Sequence, residues 1–398
     1  MRSHPSLTPI ACLVLAAFSA LTFVPHTVAR AAPANQPAPS AQAALALAPL
    51  HQAHTFAQVR QGDAIHTLFV LALAGDAVTA VDLSALSGSY SADAFDVVRL
   101  FDAAALDALA RQRPRVQRYA IARLLGVGPR GIDHIAAGTN YRAHGEEVGL
   151  HDAFLFPKKS PAGGPRTTLV AGPGAMIDYE VEVCARFDRE LRSLADFDEA
   201  RTGLFLCGDY SDRATLIRKL NLRNVLSGDG FPDAKSGADR FPAGPFLVVP
   251  RDWKAFLNDV RIATYVDGER RQQAQAGDMI KDLRTIVAET LAEATTRTWS
   301  YRDGRIPMVR RAAIGTDSGV LTGTGDGVIF QKPGAATMKA VMTAPDRQQQ
   351  LAVIDRYIDG EVARGIYLRA GNEVVYTSNY LGAIRTTVVA APPPTPNK

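Results

Sequence analysis

Two glutamates, Glu180 and Glu182, lie in the apolar stretch DYEVEVCARF with one residue between them. In a β-strand, alternate side chains share a face, so this spacing places the two carboxylates side by side. Two carboxylates on a partly buried face repel each other and require a cation, a basic partner or protonation. All-oxygen ligands select Mg²⁺, Mn²⁺ or Ca²⁺ over zinc. The alternative explanation of the pair is the exposed face of an edge strand.

A third carboxylate, Asp209, ends a second apolar stretch, LFLCGD. A carboxylate at the end of a buried strand is well placed for a functional site. The helix-like segment RATLIRKL follows, and Ser211 or Asp212 suits its N-cap better than Asp209 does. We therefore predict Asp209 as a metal ligand and Asp212 as a helix cap.

His144 and Glu147 follow the apolar run HIAAG in the segment NYRAHGEE. If this segment is helical, the two side chains share one face and can form a hydrogen bond. An imidazole that a carboxylate orients is a competent general base near neutral pH. The alternative is an incidental histidine in a surface turn.

The composition is that of a globular protein. Of the 398 residues, 47% are hydrophobic and 21% are charged, which excludes a wholly disordered, collagenous or coiled-coil chain. Three cysteines exclude a scaffold built from disulfides, and Cys184 and Cys207 are either a disulfide or two buried thiols. A formal net charge of +4 gives no reason to expect a nucleic-acid partner.

The N-terminus has the pattern of an export signal. Arg2 precedes an apolar run from Ile10 to Val24, and Ala29-Arg30-Ala31 resembles a signal-peptidase site. The apolar run covers only about 22 Å of helix, which is short of the ~30 Å hydrocarbon core. We predict a cleaved signal peptide, with an uncleaved membrane anchor as the alternative, a periplasmic location and no membrane association after cleavage.

Changes in composition divide the chain. Residues 32–49 are rich in Ala and Pro and predict a flexible leader, and the Pro-rich end predicts a disordered tail. The predicted boundaries are 1–31 (signal peptide), 32–49 (leader), 50–127 (small β-rich N-terminal domain), 128–390 (catalytic domain) and 391–398 (tail).

Many short apolar runs bounded by Gly and Pro predict a β-dominated α+β fold. Helical spacing covers residues 93–125, with Pro114 ending the first helix, and recurs at about 279–295 and 346–364. The sequence has no GxGxxG motif after a strand, no P-loop, no HExxH and no GxSxG.

Several motifs occur in a fixed order over about residues 130–382: GTNYRAHGEEVG, LFPKKSP, DYEVEV, GDYSDR, TGTGDGV and YLRAGNEVVYTSNYLGAIRT. Together they resemble the fumarylacetoacetate hydrolase family, its C-terminal catalytic domain in particular. The resemblance implies the mixed β-sandwich roll of that domain, a divalent metal and a homodimer.

The resemblance also implies a role for individual residues. The metal ligands are Glu180, Glu182 and Asp209. The catalytic residues are His144 and Glu147, a water-activating pair on a mobile lid, and Lys235, which steadies negative charge on the substrate. The substrate-binding residues are Tyr141, Lys158, Arg213 and Thr324.

Enzymes of this family bind a 1,3-dicarbonyl or 2-oxo acid against Mg²⁺, so the resemblance implies a small oxo-acid substrate and Mg²⁺, Mn²⁺ or Ca²⁺ as cofactor. We expect a metal-dependent hydrolase or lyase that cleaves a C–C bond in an acylpyruvate-like acid. A decarboxylase, isomerase or hydratase with the same fold is the alternative. A non-catalytic periplasmic protein that binds a metal and a ligand is a second one.

The sequence departs from the family pattern at four places. Gly208 replaces the usual Asn before Asp209, Gly325 replaces a Pro, and Lys235-Ser236-Gly237 lacks the aromatic residue that follows Ser. Residues 334–365 are predicted as an insertion. Its helix carries an apolar stripe, which we expect to pack on the domain or on a second subunit, or to reshape the mouth of the pocket.

Overall fold

The computed structural model describes residues 45–392. The predicted signal peptide, residues 32–44 of the predicted leader and residues 393–398 of the predicted tail lie outside this range. The strands are β1 (Ala53–Gln61), β2 (Ala64–Ala74), β3 (Ala77–Asp82), β4 (Gln117–Ala120), β5 (Asp133–Gly138), β6 (Phe154–Lys159), β7 (Arg166–Ala171), β8 (Ile177–Asp178), β9 (Val181–Phe187), β10 (Thr202–Gly208), β11 (Ser211–Asp212), β12 (Phe246–Pro250), β13 (Arg261–Val266), β14 (Glu269–Gln275), β15 (Thr298–Tyr301), β16 (Gly304–Pro307), β17 (Val320–Leu321), β18 (Glu373–Ser378) and β19 (Gly382–Ala390). The α-helices are α1 (Leu83–Ser87), α2 (Ala94–Val98), α3 (Ala103–Gln112), α4 (Arg142–Val148), α5 (Leu194–Glu199), α6 (Arg213–Lys219), α7 (Phe231–Lys235), α8 (Trp253–Leu257), α9 (Leu283–Glu293), α10 (Ala335–Thr343) and α11 (Arg347–Ala363).

Two large sheets share one hydrophobic core. The first sheet has ten strands in the order β4-β3-β2-β1-β12-β10-β9-β17-β5-β6, and the second has five in the order β14-β13-β18-β19-β7. Val183 and Leu206 of the first sheet and Tyr376 and Ile384 of the second are all fully buried in the same core. This arrangement confirms the predicted β-dominated α+β class with mixed sheets.

β9 and β10 lie at the centre of the ten-stranded sheet. Their sequences, VEVCARF and TGLFLCG, are nearly continuous apolar runs, and every residue of both strands is buried. The strands are antiparallel neighbours, with Val183 opposite Leu206. Cys184 and Cys207 form a disulfide between them, so the alternative of two free thiols is not what the structure shows.

The segment 50–127, predicted as a separate N-terminal domain, contributes its strands to the same ten-stranded sheet. β1 pairs with β12, so that Phe56 lies opposite Leu247. The prediction of helical spacing over 93–125 was wrong at its end, because residues 117–120 form β4. Val78 of β3 lies opposite Tyr119 of β4, and this long-range pairing overrides the local pattern.

Two other predicted helices are confirmed. The helix predicted at about 279–295 is α9, whose N-cap Asp282 accepts a hydrogen bond from the Thr285 N–H. The helix predicted at 346–364 is α11, whose N-cap Asp346 accepts from the Gln349 N–H. The predicted insertion holds a further helix, α10, before α11. Across residues 45–392, the helices are too short or too polar to cross a lipid bilayer.

Candidate active site

Three buried carboxylates converge where β9 begins and β10 ends. Glu182 lies on β9, Glu180 precedes that strand, and Asp209 follows β10. Because β9 and β10 are antiparallel neighbours, the start of one meets the end of the other, and the Asp209 N–H donates to the Glu180 carbonyl oxygen at 2.9 Å. One oxygen from each carboxylate lies within 4.8 Å of the others. The alternative of an exposed edge strand is therefore wrong, because β9 is an interior strand.

Basic side chains contact two of the three carboxylates. Lys235 Nζ lies 2.6 Å from Glu180 Oε2 and 2.8 Å from Asp209 Oδ2. Arg213 Nη2 lies 2.7 Å from Glu180 Oε1. Among the described residues, the Glu182 carboxylate makes no ion pair and accepts one hydrogen bond, from the Gly323 N–H at 2.6 Å. The cluster therefore carries positive charge on one side only.

The pKa values of the two glutamates shift in opposite directions. Burial disfavours ionisation of Glu180, but Lys235 and Arg213 outweigh it and lower the pKa of Glu180 to about 2. Burial, reinforced by the charges of Asp209 and Glu180, raises the pKa of Glu182 well above its ordinary value. A divalent cation that carboxylate oxygens bind would remove this repulsion, so the donor set fits Mg²⁺, Mn²⁺ or Ca²⁺.

His144 and Glu147 form a hydrogen-bonded pair on α4. His144 Nδ1 lies 3.1 Å from Glu147 Oε2. The Gly327 N–H donates to both Glu147 oxygens, at 3.2 and 3.3 Å, and so fixes the carboxylate. Because an ionised carboxylate only accepts hydrogen bonds, the neutral imidazole carries its hydrogen on Nδ1, which leaves Nε2 free to accept a proton.

A cavity of about 250 Å³ has His144 and Glu180 on its wall, whereas Glu147, Glu182 and Asp209 do not line it. Five of the residues that the sequence predicts for the site lie on its wall: His144, Glu180, Arg213, Lys235 and Thr324. The cavity therefore presents a candidate base, an ammonium group, a guanidinium group and a carboxylate to one small molecule.

Comparison with known proteins identifies the family. The family model described as fumarylacetoacetate (FAA) hydrolase C-terminal matches residues 133–389. The chain belongs to this family. Two proteins of Escherichia coli are similar to it, the homoprotocatechuate catabolism bifunctional isomerase/decarboxylase and the 4-hydroxyphenylacetate degradation bifunctional isomerase/decarboxylase. Each is 25% identical over 162 residues, which are 38% of this chain and 35% of the relative. The match thus spans about a third of the length of these relatives.

Solved structures of fumarylacetoacetate hydrolase relatives share the fold. The fumarylacetoacetate hydrolase from psychrophilic Exiguobacterium antarcticum has a TM-score of 0.53 and 19% identity. The maleylpyruvate hydrolase from Sphingobium sp. SYK-6, in complex with manganese(II) and pyruvate, has a TM-score of 0.51 and 18% identity. Each likeness covers 85% of this chain and 100% of the other. The fold predicted from the resemblance is confirmed.

Two residues that the family pattern suggests as substrate contacts, Lys158 and Tyr141, are not on the cavity wall. Lys158 is fully buried, and its ammonium contacts Asp209 Oδ1 at 2.7 Å and the carbonyl oxygens of Lys235 and Arg240. The Tyr141 hydroxyl is buried and has no hydrogen-bond partner among the described residues. In this geometry Lys158 positions Asp209.

Asp178, for which no role was predicted, holds Arg213 in place. Asp178 is fully buried, and its carboxylate accepts from Arg213 Nε at 2.9 Å and from the N–H groups of Ile329 and Phe330 at 2.9 and 3.1 Å. The sequence did hold a signal, because Asp178 has the same spacing from Glu180 as Glu180 has from Glu182.

Gln272 of β14 is a second residue without an assigned role. Its Nε2 donates to Thr324 Oγ1 at 2.9 Å, and its Oε1 lies 3.3 Å from the Val181 N–H. It thereby ties the Thr324 loop to the start of β9. It lies in a polar stretch, ERRQQAQ, and nothing in the sequence distinguishes it from its exposed neighbours.

Proposed function

We propose that this member of the family is a divalent-metal-dependent hydrolase or lyase that cleaves a C–C bond in an acylpyruvate-like acid. The proposal rests on one observation: the side chains of His144, Lys235 and Glu180 line the same cavity. Glu180, Glu182 and Asp209 would hold the metal, which when bound polarises the enolisable oxygens of the substrate.

The side chains of this chain supply the remaining chemistry. Arg213 on the cavity wall orients an anionic substrate, and Lys235 stabilises the negative charge that develops on it. Burial lowers the pKa of the Lys235 ammonium, but Asp209 and Glu180 outweigh burial and raise it, so the group stays charged.

His144 activates water in this scheme. Its Nε2 accepts a proton from the water that attacks the C4 carbonyl of a 2,4-dioxo acid, while Glu147 stabilises the imidazolium. The C3–C4 bond then breaks, and C3 takes back the proton. The products are a carboxylic acid and a 2-oxo acid.

The same site would serve a decarboxylase, an isomerase or a hydratase, and the E. coli relatives are named for two of these activities, isomerase and decarboxylase. A non-catalytic binding protein is the remaining alternative. The hydrogen bonds that fix Glu147 against His144 favour an enzyme, because binding alone does not require an oriented base.

A substrate panel tests the proposal. Acylpyruvates and oxaloacetate are incubated with the protein and Mg²⁺ or Mn²⁺, and a parallel set contains excess EDTA. The proposal predicts release of a 2-oxo acid from an acylpyruvate that EDTA abolishes. Turnover of oxaloacetate alone would instead assign a decarboxylase.

We propose export to the periplasm from the N-terminal signal pattern, and a homodimer from the family. Protein from a periplasmic fraction should begin at about residue 32 on N-terminal sequencing, and light scattering should give twice the monomer mass. A cytoplasmic chain with an intact N-terminus would contradict the first statement.

A further inference from the structure

The wall of the candidate active-site cavity combines charged and apolar side chains. Its charged residues Arg213 and Lys235 both contact Glu180, so these three residues form one charged cluster. The rest of the wall is mainly apolar and includes Leu216, Ile217, Leu220, Phe231, Val341 and Ile354. We call this part the apolar chamber. A small polar acid would contact only the charged cluster.

The apolar chamber is built by α6 on one side and by α10 and α11 on the other. Ile217, Val341 and Ile354 are buried in a hydrophobic cluster separate from the main core. Arg218 Nε contacts Asp355 Oδ1 at 2.8 Å, and Arg347 Nη2 donates to the Arg218 carbonyl oxygen at 2.6 Å. These polar contacts at the rim fix the helical pair over α6.

We infer that the substrate carries an alkyl or aryl tail that lies in the apolar chamber while its 2-oxo acid head lies at Arg213 and Lys235. The inference rests on the proposed function and adds the class of the tail. A chamber of this kind favours an apolar group because burial removes that group from water, whereas a charged group would lose its hydration without a partner.

A second carboxylate on the tail is the competing possibility. Apart from Arg213, Lys235 and the candidate base His144, the basic side chain on the described wall is Lys332, which is exposed. An ion pair with an exposed lysine contributes little, because water already solvates both charges. The geometry therefore favours an uncharged tail over a dicarboxylic acid.

Binding of simple 2-oxo acids tests the tail independently of turnover. Pyruvate, 2-oxohexanoate and 2-oxooctanoate are titrated into the full chain with saturating Mg²⁺, and heat release gives each Kd. We expect the Kd to fall about fourfold for each added methylene, which is the effect of burying one such group. The dicarboxylate 2-oxosuberate should bind more weakly than 2-oxooctanoate.

Two substitutions narrow the chamber. Val341→Phe and Met338→Trp, both on the wall, should weaken binding of 2-oxooctanoate at least tenfold and leave pyruvate unchanged. Met338 is half-buried, so its variant should fold even if the Val341 variant does not. Ala352→Trp, on the exposed side of α11, is the matched control and should change neither Kd.

The possible outcomes separate the inference from the proposed function. Equal Kd values for pyruvate and 2-oxooctanoate would overturn the inference, as would tighter binding of 2-oxosuberate that Lys332→Gln removes. If the protein cleaves acylpyruvates but the Kd does not fall with chain length, the proposed reaction is supported and the inference is wrong. If the Kd falls with chain length but acylpyruvates are not cleaved, the inference of an apolar tail is supported and the proposed reaction is rejected.

Discussion

Glu180 and Glu182 belong to one cluster, yet only Glu180 contacts basic side chains. Lys235 and Arg213 lie 2.6 and 2.7 Å from its carboxylate, whereas Glu182 accepts one backbone hydrogen bond, from Gly323 at 2.6 Å. Glu180 is therefore neutralised by the protein itself. A bound cation would therefore stabilise the Glu182 carboxylate more than the Glu180 carboxylate. Removing the charge of Glu182 should lower the metal affinity.

Metal should stabilise the protein through Glu182. At 100 times its Kd, a ligand that binds only the folded state adds about 2.7 kcal/mol to the free energy of unfolding. We expect millimolar Mg²⁺ or Mn²⁺ to raise the midpoint of thermal unfolding in the wild type and not in Glu182→Gln. Glu190→Gln, an exposed position, is the control and should respond like the wild type. Equal shifts in all three proteins would contradict the site.

Glu147 should matter through His144. In Glu147→Gln the imidazole of His144 loses the carboxylate that orients it and stabilises the imidazolium. Both the value of kcat and the pH dependence of kcat should therefore change, and kcat should fall. The loss should be smaller than in His144→Ala, because Nε2 remains. Glu146→Gln, an exposed neighbour on α4, should retain the wild-type kcat and pH profile. If kcat and its pH profile were the same in Glu147→Gln and Glu146→Gln, Glu147 would have no part in the mechanism.

Asp178 should be essential for stability. Asp178→Asn leaves the buried Arg213 without half of its carboxylate partners, and breaking a buried ion pair costs about 3–5 kcal/mol. Denaturant unfolding should show this loss. Asp198→Asn removes an ion pair with Arg284 on the surface and should change stability little. A mild effect of Asp178→Asn would mean that Glu180 alone holds Arg213.

His134 should make the protein acid-sensitive. Its Nε2 lies 2.7 Å from the Ser160 carbonyl oxygen and its Nδ1 accepts from the Gly319 N–H at 3.1 Å, so the neutral ring uses both nitrogens. Burial lowers the pKa of His134 to about 4, below its value in the unfolded chain. The neutral ring therefore stabilises the fold fully above about pH 6.5, and this contribution is lost as the pH falls toward 4.

The measurement is the free energy of unfolding at pH 7 and pH 4. We expect the wild type to lose about 3 kcal/mol more than His134→Gln over this interval. His151→Gln removes an exposed histidine and should lose as much as the wild type. If His134→Gln loses as much as the wild type, the buried ring does not carry the acid sensitivity.

The burial of Glu182 and Asp209 was predictable from local patterns, because Glu182 lies in an apolar strand and Asp209 ends another. Their convergence with Glu180 followed only from the family resemblance, because a local pattern does not show which strands pair. The pairing of β1 with β12 was not predictable, because residues far apart in the chain meet there and periodicity reports only local structure. The insertion at 334–365 was predicted to pack on the domain or a second subunit or to reshape the pocket mouth, but the apolar chamber itself was not predicted, because α6 and α10 come together only after folding.

Lys158 shows a different limit. The family motif marks the position but not the direction of the side chain, and the structure turns its ammonium toward Asp209. A sequence pattern places a lysine near a site; only the fold decides whether it contacts the substrate or a ligand of the metal.

The most direct test of the central claim compares turnover and metal binding in His144→Ala. Acylpyruvate cleavage and Mg²⁺ affinity are measured in the wild type, in His144→Ala and in His151→Ala, which changes an exposed histidine. We predict that His144→Ala lowers kcat by about 10²–10⁴-fold and keeps the metal affinity, while His151→Ala keeps both. Unchanged kcat in His144→Ala would contradict the account, because the base that it assigns would then take no part in the reaction.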